Sequence, residues 1–469
     1  MSEITKKTSV ISTRNIQVVS VKETKEERAK DYKFMENLSM ELSSMGNLLI
    51  RHTVNNLYRV DEMCKNTPNL TKSEAIKILQ EESGTSLRNT GYRLLQQYDH
   101  IPSDIKTNMN GEIFKKLDKQ FYKLKRNEVS IPSFKANSVP IRVSERIYKE
   151  GDDFFIRFPL SQKQKKGGQE NIVFKLFFGR DKSGNEIIVN RILDGTYKMM
   201  NSFFKFNKYK LFFHVVFEEP VVPIKGLDDN RIMGIDLGIS RLVSHYITNI
   251  KHQPYQLDYL GEFITNDMVK IHNERKTIQT ALKVARGGHG RKRKLERLNS
   301  LSDKQHNKNK TNINAVALSV VRVAELNKCG IIKMEDLSGI KNDEKKHQFL
   351  KNWSYAMLQD NIARCAEKRG ITTLWVVARD TSVTCPYCGL VNKENRLSNR
   401  EEYKNKKGYA KQFECLNPSC PEFGVNMDAD IIASINIAKK EAFPVKPSSV
   451  EFRRRNSKKN KNNGENEKK

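Results

Sequence analysis

Arg231-Ile-Met-Gly-Ile-Asp-Leu-Gly-Ile-Ser240 is the stretch that decides how this chain reads. Ile232, Met233 and Ile235 have the apolar run of a buried strand, Asp236 ends it, and Gly238 follows. A carboxylate at the end of a core strand is expensive to bury unpaired. A divalent cation is a common answer when more carboxylates arrive from elsewhere in the chain. Two do. Ile331-Ile-Lys-Met-Glu-Asp-Leu337 repeats the strand-then-acid design with Glu335, and Asn426-Met-Asp-Ala-Asp-Ile-Ile-Ala-Ser-Ile-Asn-Ile437 sets Asp430 at the start of an apolar helix.

The chain around these stretches has 469 residues, enough for several domains with real cores. It carries 84 Lys+Arg against 55 Asp+Glu, a net charge of +29. Such an excess favours a polyanion, with nucleic acid ahead of a membrane surface. No lipidation signal is present, and no apolar run approaches the roughly 20 residues needed to span a bilayer. Met1-Ser-Glu-Ile-Thr-Lys-Lys7 lacks a secretory core, so an intracellular protein is expected. Its seven cysteines then read as thiols or metal ligands rather than disulfides.

Ile16-Gln-Val-Val-Ser20 reads as a strand. From Tyr32 to Arg126 the pattern is helical, with Leu38, Leu42, Met45 and Leu49 on one face and Ile113, Leu117, Phe121 and Leu124 on another. Thr71 is placed to cap a helix, with Glu74 completing a capping box. From Val129 to Glu219, short apolar and aromatic runs predict a small β domain closed as a barrel; Lys182-Ser-Gly-Asn185 reads as its hairpin turn and His214 as a packed side chain.

Beyond Pro220 and Pro223, residues 231–247 predict a hairpin and Asn266 to Ala285 a helix. Arg286-Gly-Gly-His-Gly-Arg-Lys-Arg-Lys294 reads as a Gly-rich loop whose Arg286, Arg291, Lys292, Arg293 and Lys294 can follow phosphates. Helices are expected at 312–327 and 355–368, and a strand at 371–378. Cys329 reads as core, and Cys64 and Cys365 as structural.

Cys385-Pro-Tyr-Cys388 is followed by Cys415-Leu-Asn-Pro-Ser-Cys420. Two close pairs across a loop are the pattern of a tetrahedral four-cysteine zinc site. With every position filled by cysteine, one Zn2+ would be structural and would replace a core that this polar segment cannot build. Gly389 suits the tight turn that aims backbone amides at thiolate sulfur. The stretch from Lys393 to Lys411 is polar and expected to be exposed.

Taken in order, Gly234-Ile-Asp-Leu-Gly238, Lys333-Met-Glu-Asp-Leu337, Thr381-Ser-Val-Thr-Cys-Pro-Tyr-Cys-Gly389, the second cysteine pair and Asp428-Ala-Asp-Ile-Ile-Ala-Ser-Ile-Asn-Ile437 resemble the split RuvC nuclease domain of type V CRISPR effectors and their TnpB relatives. The resemblance covers about residues 230–440. Ser130-Ile-Pro-Ser-Phe-Lys-Ala-Asn-Ser-Val-Pro-Ile141 looks most like the miniature type V-F effectors. Ile432 and Val383 depart from the family pattern, which usually has Asn and Gln at these positions.

The resemblance implies a multidomain α/β fold: an RNase H-like RuvC domain (226–380 and 428–445) with an inserted zinc-binding target-nucleic-acid module (381–427). It further implies a wedge β-barrel (1–30 and 129–225), a helical recognition lobe (31–128) and a basic disordered tail (446–469). Asp236, Glu335 and Asp430 match the metal-binding triad, while Asp336 and Asp428 are expected to face outward. Three such carboxylates can hold two Mg2+ ions for phosphodiester hydrolysis. The implied partners are a guide RNA and target double-stranded DNA, with two copies of the chain on one guide, in a prokaryotic cytoplasm and away from membranes. Sequence recognition would fall to base pairing. A TnpB-like nuclease and a guided DNA binder with weak cleavage are the alternatives; the intact acids argue against the second.

Overall fold

The computed structural model describes residues 8–135, 139–161, 164, 166, 168, 171–179, 182–207, 210–238, 241–250, 261–284, 287–337, 355–403, 408–409 and 411–448. The chain forms two compact units, one of residues 11–220 and one of residues 1–10 with 221–469. Among the described residues, no helix is long and apolar enough to cross a membrane.

The first unit joins helices and a sheet on one core. Strand β1 (Ser9–Ser20) leads into α1 (Lys25–Asn66), α2 (Lys72–Ser83), α3 (Leu87–Leu94) and α4 (Ser103–Lys125). Strands β2 (Ile141–Val143), β3 (Ile147–Glu150), β4 (Asp153–Phe158) and β5 (Ile172–Phe177) follow. Helix α5 (Lys182–Leu193) then precedes β6 (Lys198–Met199), β7 (Ser202–Asn207) and β8 (Lys210–Pro220). The sheet order is β2-β7-β8-β1-β5-β4-β3, with β6 beside β8, so the N-terminal strand lies in the middle of the sheet. Its ends, β2 and β3, share no ladder among the described residues, so the expected barrel is not closed by backbone pairing.

The predicted faces of α1 and α4 are buried at Leu38, Leu42, Met45, Leu49, Ile113, Leu117 and Leu124, with Phe121 partly so. Thr71 and Glu74 form the predicted reciprocal cap. His214 stacks on Phe203 with ring centroids 4.5 Å apart. Two expectations are corrected. Helix α1 begins at Lys25, where Thr24 and Glu27 make a capping box, rather than near Tyr32. Lys182–Asn185 is the first turn of α5 rather than a hairpin turn: Asn185 and Val189, one turn apart, are both buried, and the Asn185 amide donates to Phe178 O at 3.2 Å. Helical spacing of the residues after Gly184 outweighed the local turn signal.

The second unit is built on a four-stranded sheet. Its elements are β9 (Asp228–Asp236), β10 (Ser244–Ile247), α6 (Gly261–Val284), α7 (Gly288–Leu326), β11 (Cys329–Glu335), α8 (Tyr355–Glu367) and β12 (Thr372–Val376). The two-stranded ribbon β13 (Gln412–Phe413) and β14 (Met427–Asp428) precedes α9 (Ala429–Lys439). The sheet order is β10-β9-β11-β12; β9, β11 and β12 are parallel, and β10 returns antiparallel along β9, completing the predicted hairpin.

Alternation along the strands separates two faces. Met233, Ile235, Ile332 and Met334 enter an apolar core with Val316 and Val320 of α7 and Leu358 and Ile362 of α8. Cys329 is fully buried in that core, and Cys365 packs at its edge. The helix expected from Asn312 is the last part of the 39-residue α7.

Candidate active site and four-cysteine cluster

The other face of this sheet carries the acids. Parallel pairing of β9 with β11 sets Ile235 beside Met334, so Asp236 and Glu335 end adjacent strands side by side. Helix α9 lies over them, and three contacts fix it. A Cβ on Gly234 would lie 2.3 Å from Ser434 O and 2.5 Å from Ala438 N, so only glycine admits the helix this close to the strand. Lys333, buried on the same face, donates from Nζ to Ala438 O and Lys440 O, both at 2.8 Å, and so ties down the C-terminal carbonyls. At the other end Asp428 caps the helix: its Oδ1 accepts from Asp430 N at 2.9 Å and Ile431 N at 3.4 Å.

This geometry brings the third acid, Asp430, to the first two. Asp236 keeps a solvent-facing edge but is densely surrounded. Burial first, then the Glu335 and Asp430 carboxylates, push it up to about 8, while Arg396 and the Leu237 amide pull the other way. Burial also raises Glu335, opposed by a hydrogen bond from Thr381 Oγ1 to its Oε1 and by the Lys440 ammonium. Asp430 Oδ2 accepts from Lys411 Nζ at 2.7 Å, and Arg241 lies 4.0 Å from the same oxygen. Buried Tyr355 is pushed up to about 12, by desolvation and then by Asp236, and stays a phenol at neutral pH. The donor set consists of carboxylate oxygens whose mutual repulsion a divalent cation would relieve, and oxygen is what hard cations take. The donor chemistry therefore suits a divalent metal, while among the described residues only the four cysteines already stand close enough together to share one ion.

The cysteines converge as predicted. All four sulfurs lie within 4.8 Å of one another, with Cys385 to Cys420 at 3.7 Å and Cys388 to Cys415 at 3.6 Å. Four sulfurs about 2.3 Å from a tetrahedral zinc would stand about 3.8 Å apart. Gly389, at φ 77°, makes the tight turn after Cys388. The Leu390 amide and then Asn417 pull the Cys388 thiol down to about 6, whereas burial pushes Cys415 up to about 12. Ile432, one of the departures noted in the sequence, packs with Cys385 and Phe413 in the apolar cluster around the sulfurs.

Several expectations change here. Asp428 and Asp336, expected to face outward, are half-exposed and both engaged: Asp428 caps a helix and pairs with Arg241, and Asp336 Oδ2 accepts from Ser448 N at 2.7 Å. The stretch 393–411 is not wholly exposed. It starts with three short 3-10 turns, and Asn395 is fully buried. The Asn395 amide donates to Val383 O at 2.9 Å, and its Oδ1 accepts from Leu416 N at 3.2 Å, linking the two cysteine arms.

Arg291, Lys292, Arg293 and Lys294 lie in the first turns of α7 rather than in a loop. The chain breaks at Gly287, φ 131°, and Lys and Arg propagate a helix well once it starts. Arg291 donates to Leu282 O at 3.1 Å, which caps the end of α6. Arg291 to Arg293 are exposed and Lys294 half-exposed; Arg286 lies outside the described residues. Thr381, Arg396, Lys411 and Arg241 are site residues that sequence reasoning missed. Only Thr381 stood inside a quoted motif.

Residues 355–437 match the family model for the Cas12f1-like TNB domain. The CRISPR-associated endodeoxyribonuclease Cas12f1 of Syntrophomonas palmitatica is 30% identical over 356 residues, covering 70% of this chain and 70% of that protein. Its namesake from Sulfoacidibacillus thermotolerans is 30% identical over 285 residues, covering 58% of this chain and 65% of that protein. Among solved structures, a Cas12f1–sgRNA–target DNA complex aligns over 93% of this chain and 100% of that one, with a TM-score of 0.63 at 18% identity, a likeness of fold. The motif order and these matches together lead to one conclusion: the chain belongs to the Cas12f1 family of miniature type V-F CRISPR-associated nucleases.

Proposed function

We propose that this chain is an RNA-guided DNA endonuclease with a single RuvC-type cutting site formed by Asp236, Glu335 and Asp430. The observation that carries this reading is the crowding of three acids, from segments about 100 and 200 residues apart, on one face of a sheet where each raises the cost of ionising Asp236. The names of the relatives, all endodeoxyribonucleases, support the same reaction class.

Residues 226–380 with 428–445 would form the nuclease domain, and 381–427 the zinc-held target-nucleic-acid module. Residues 1–30 with 129–225 would form the wedge, 31–128 the recognition lobe, and 446–469 a basic tail. Asp236, Glu335 and Asp430 would hold the catalytic metal, by this reading two Mg2+ ions. Bound there, Mg2+ would activate water for attack on the phosphodiester and stabilise the leaving oxygen. The chain's own contribution is placement: two strand ends fix Asp236 and Glu335, and the capped helix α9 fixes Asp430. Arg396, whose charge acts on Asp236, also lines a cleft of about 540 Å3 with Asp380, Ser382, Lys393 and Asn399. Cys385, Cys388, Cys415 and Cys420 would hold one structural Zn2+.

Guide RNA would supply sequence recognition by pairing with the target DNA, and the protein would grip the backbone of the heteroduplex. The related solved complex contains sgRNA and target DNA, which supports these partners. Two copies of the chain on one guide complete the proposal; light scattering that finds one chain per RNA overturns that part. Asp236→Ala should leave guided duplex binding intact and slow cutting by about 10^3-fold or more, roughly 4 kcal/mol of transition-state stabilisation. Cutting at the parent rate would put the active site elsewhere. Alanine at Arg291, Lys292, Arg293 and Lys294 should weaken binding and flatten the log K against log salt slope by up to about 3 to 4. An unchanged slope removes these residues from the nucleic-acid surface.

A further inference from the structure

The segment held by the cysteines faces all three acids. Thr381 donates to Glu335, Arg396 acts on Asp236, and Lys411 pairs with Asp430. Thr381 has the most tightly specified environment. It is buried, and its hydroxyl proton goes to Glu335 Oε1. Its backbone is gripped from α9: the Asn436 amide donates to Thr381 O and to Thr384 O, both at 2.7 Å. Thr384 closes the turn by donating from its backbone N to Asp380 O at 3.1 Å and from Oγ1 to the same oxygen at 2.6 Å. Cys385 comes next in the chain. Asn395 then joins this arm to the arm that carries Cys415.

A carboxylate at a strand end can rotate about its last torsions, and a donor held from outside the strand removes that freedom. The Glu335 backbone is fixed separately, since Gln359 Nε2 donates to its carbonyl at 2.6 Å. Thr381 therefore restrains the side chain and not the strand. A module that only filled space beside the nuclease face would have no reason to place a buried hydroxyl on an acid, with its carbonyl clamped by a helix residue.

We infer that Thr381 is the positioning residue that orients the Glu335 carboxylate for metal. This inference rests on the proposed role of Glu335.

The test uses the full chain bound to its guide RNA. Thr381→Val keeps the shape of the side chain and removes its donor; Thr381→Ser restores the donor. Mn2+ binding, followed by the paramagnetic resonance of free Mn2+, should weaken about 10-fold in Thr381→Val, and single-turnover cutting should fall about 10- to 100-fold. Guided duplex binding, zinc content and melting temperature should match the parent, and Thr381→Ser should recover most of both losses. Parent-like Mn2+ affinity and cutting in Thr381→Val overturn the inference. Equal damage in Thr381→Ser also overturns it, since packing rather than the donor would then be at work. Glu335→Gln is measured alongside: if it cuts normally, the reading of the acids fails, whereas an inactive Glu335→Gln with an active Thr381→Val sinks only the role of Thr381.

Discussion

The acid face and the four-cysteine cluster lie on neighbouring stretches of one unit and gather their groups in opposite ways. The cysteines fall within one short segment, and the amides that support their sulfurs are a few residues away, as with Leu390 and Asn417 around Cys388. The acids come from three distant segments. Their supports are equally distant: Gly234 against Ser434, Lys333 against Ala438 and Lys440, and Thr381 against Glu335. With one Zn2+ bound, as proposed, the cluster would add to the small apolar core around Phe413 and Ile432 and stabilise the local fold. The acid face does the reverse, because burial and like charge hold Asp236 at about 8. Retaining such a face costs stability, which is the pattern of proteins that keep a perturbed carboxylate for chemistry.

The sharpest way to break this contrast is at the cluster. Cys415→Ser removes a proposed zinc ligand, and the segment between the arms should lose its cooperative unfolding, with protease cutting within 381–427 rising about 10-fold or more. Parent-like protection would mean that the apolar contacts around Phe413 hold the module without metal. Gly234→Val comes next. Its Cβ meets backbone atoms of α9, which cannot rotate away, so a loss of about 1 to 3 kcal/mol is expected in denaturant unfolding, together with lost cutting. A parent-like midpoint would show that α9 can retreat at no cost.

Asp236→Asn should act in the opposite direction on stability. The parent carboxyl, pushed up to about 8, must take up a proton on folding at neutral pH and the amide needs none, so in Mg2+-free buffer the melting temperature should rise, by about 2 to 4 °C for each kcal/mol relieved. Mg2+ should then raise the melting temperature of the parent but not of the variant. A lower melting temperature for Asp236→Asn would remove the claim that the acid face strains the fold.

The smallest effect is at His245, buried on β10, where neither ring nitrogen has a hydrogen-bond partner among the described residues. Burial holds its folded pKa below the usual 6.5. The unfolded chain therefore takes up the proton first as pH falls. The stability due to neutral His245 is full above about 6.5 and is lost as pH drops below it. Between pH 7.5 and 5.5 the parent should lose about 1 kcal/mol more than His245→Leu, a difference of about 2 to 4 °C. Equal losses in the two proteins would place the acid sensitivity elsewhere.

Much of this contrast was legible in the sequence where the signal is local. The capping box at Thr71 and Glu74, the faces of α1 and α4 and the cysteine spacing each lie within one continuous segment of the chain. Local reading failed where two local signals compete. Lys182-Ser-Gly-Asn185 has the composition of a turn, and the apolar spacing after it made a helix. The glycines before Arg291 suggested a loop, but only Gly287 breaks the chain, and the basic residues beyond it are helical. Asn395 sits in a stretch whose composition reads as solvated, yet it is buried because its amide satisfies backbone groups from both cysteine arms.

By itself the sequence determined which groups could do chemistry: three acids at the ends of apolar runs, four cysteines at ligand spacing and a large excess of positive charge. Carboxylates, thiols and helix periodicity are properties of residues and their neighbours. Only the tertiary structure decided that Asp236, Glu335 and Asp430 share a face, that Asp428 caps a helix instead of joining them, and that Thr381 and Lys411 reach the acids from the cysteine segment. Those outcomes depend on strand register and on how closely α9 can approach Gly234. Both are set by packing between residues about 100 and 200 positions apart, where no local pattern carries the information.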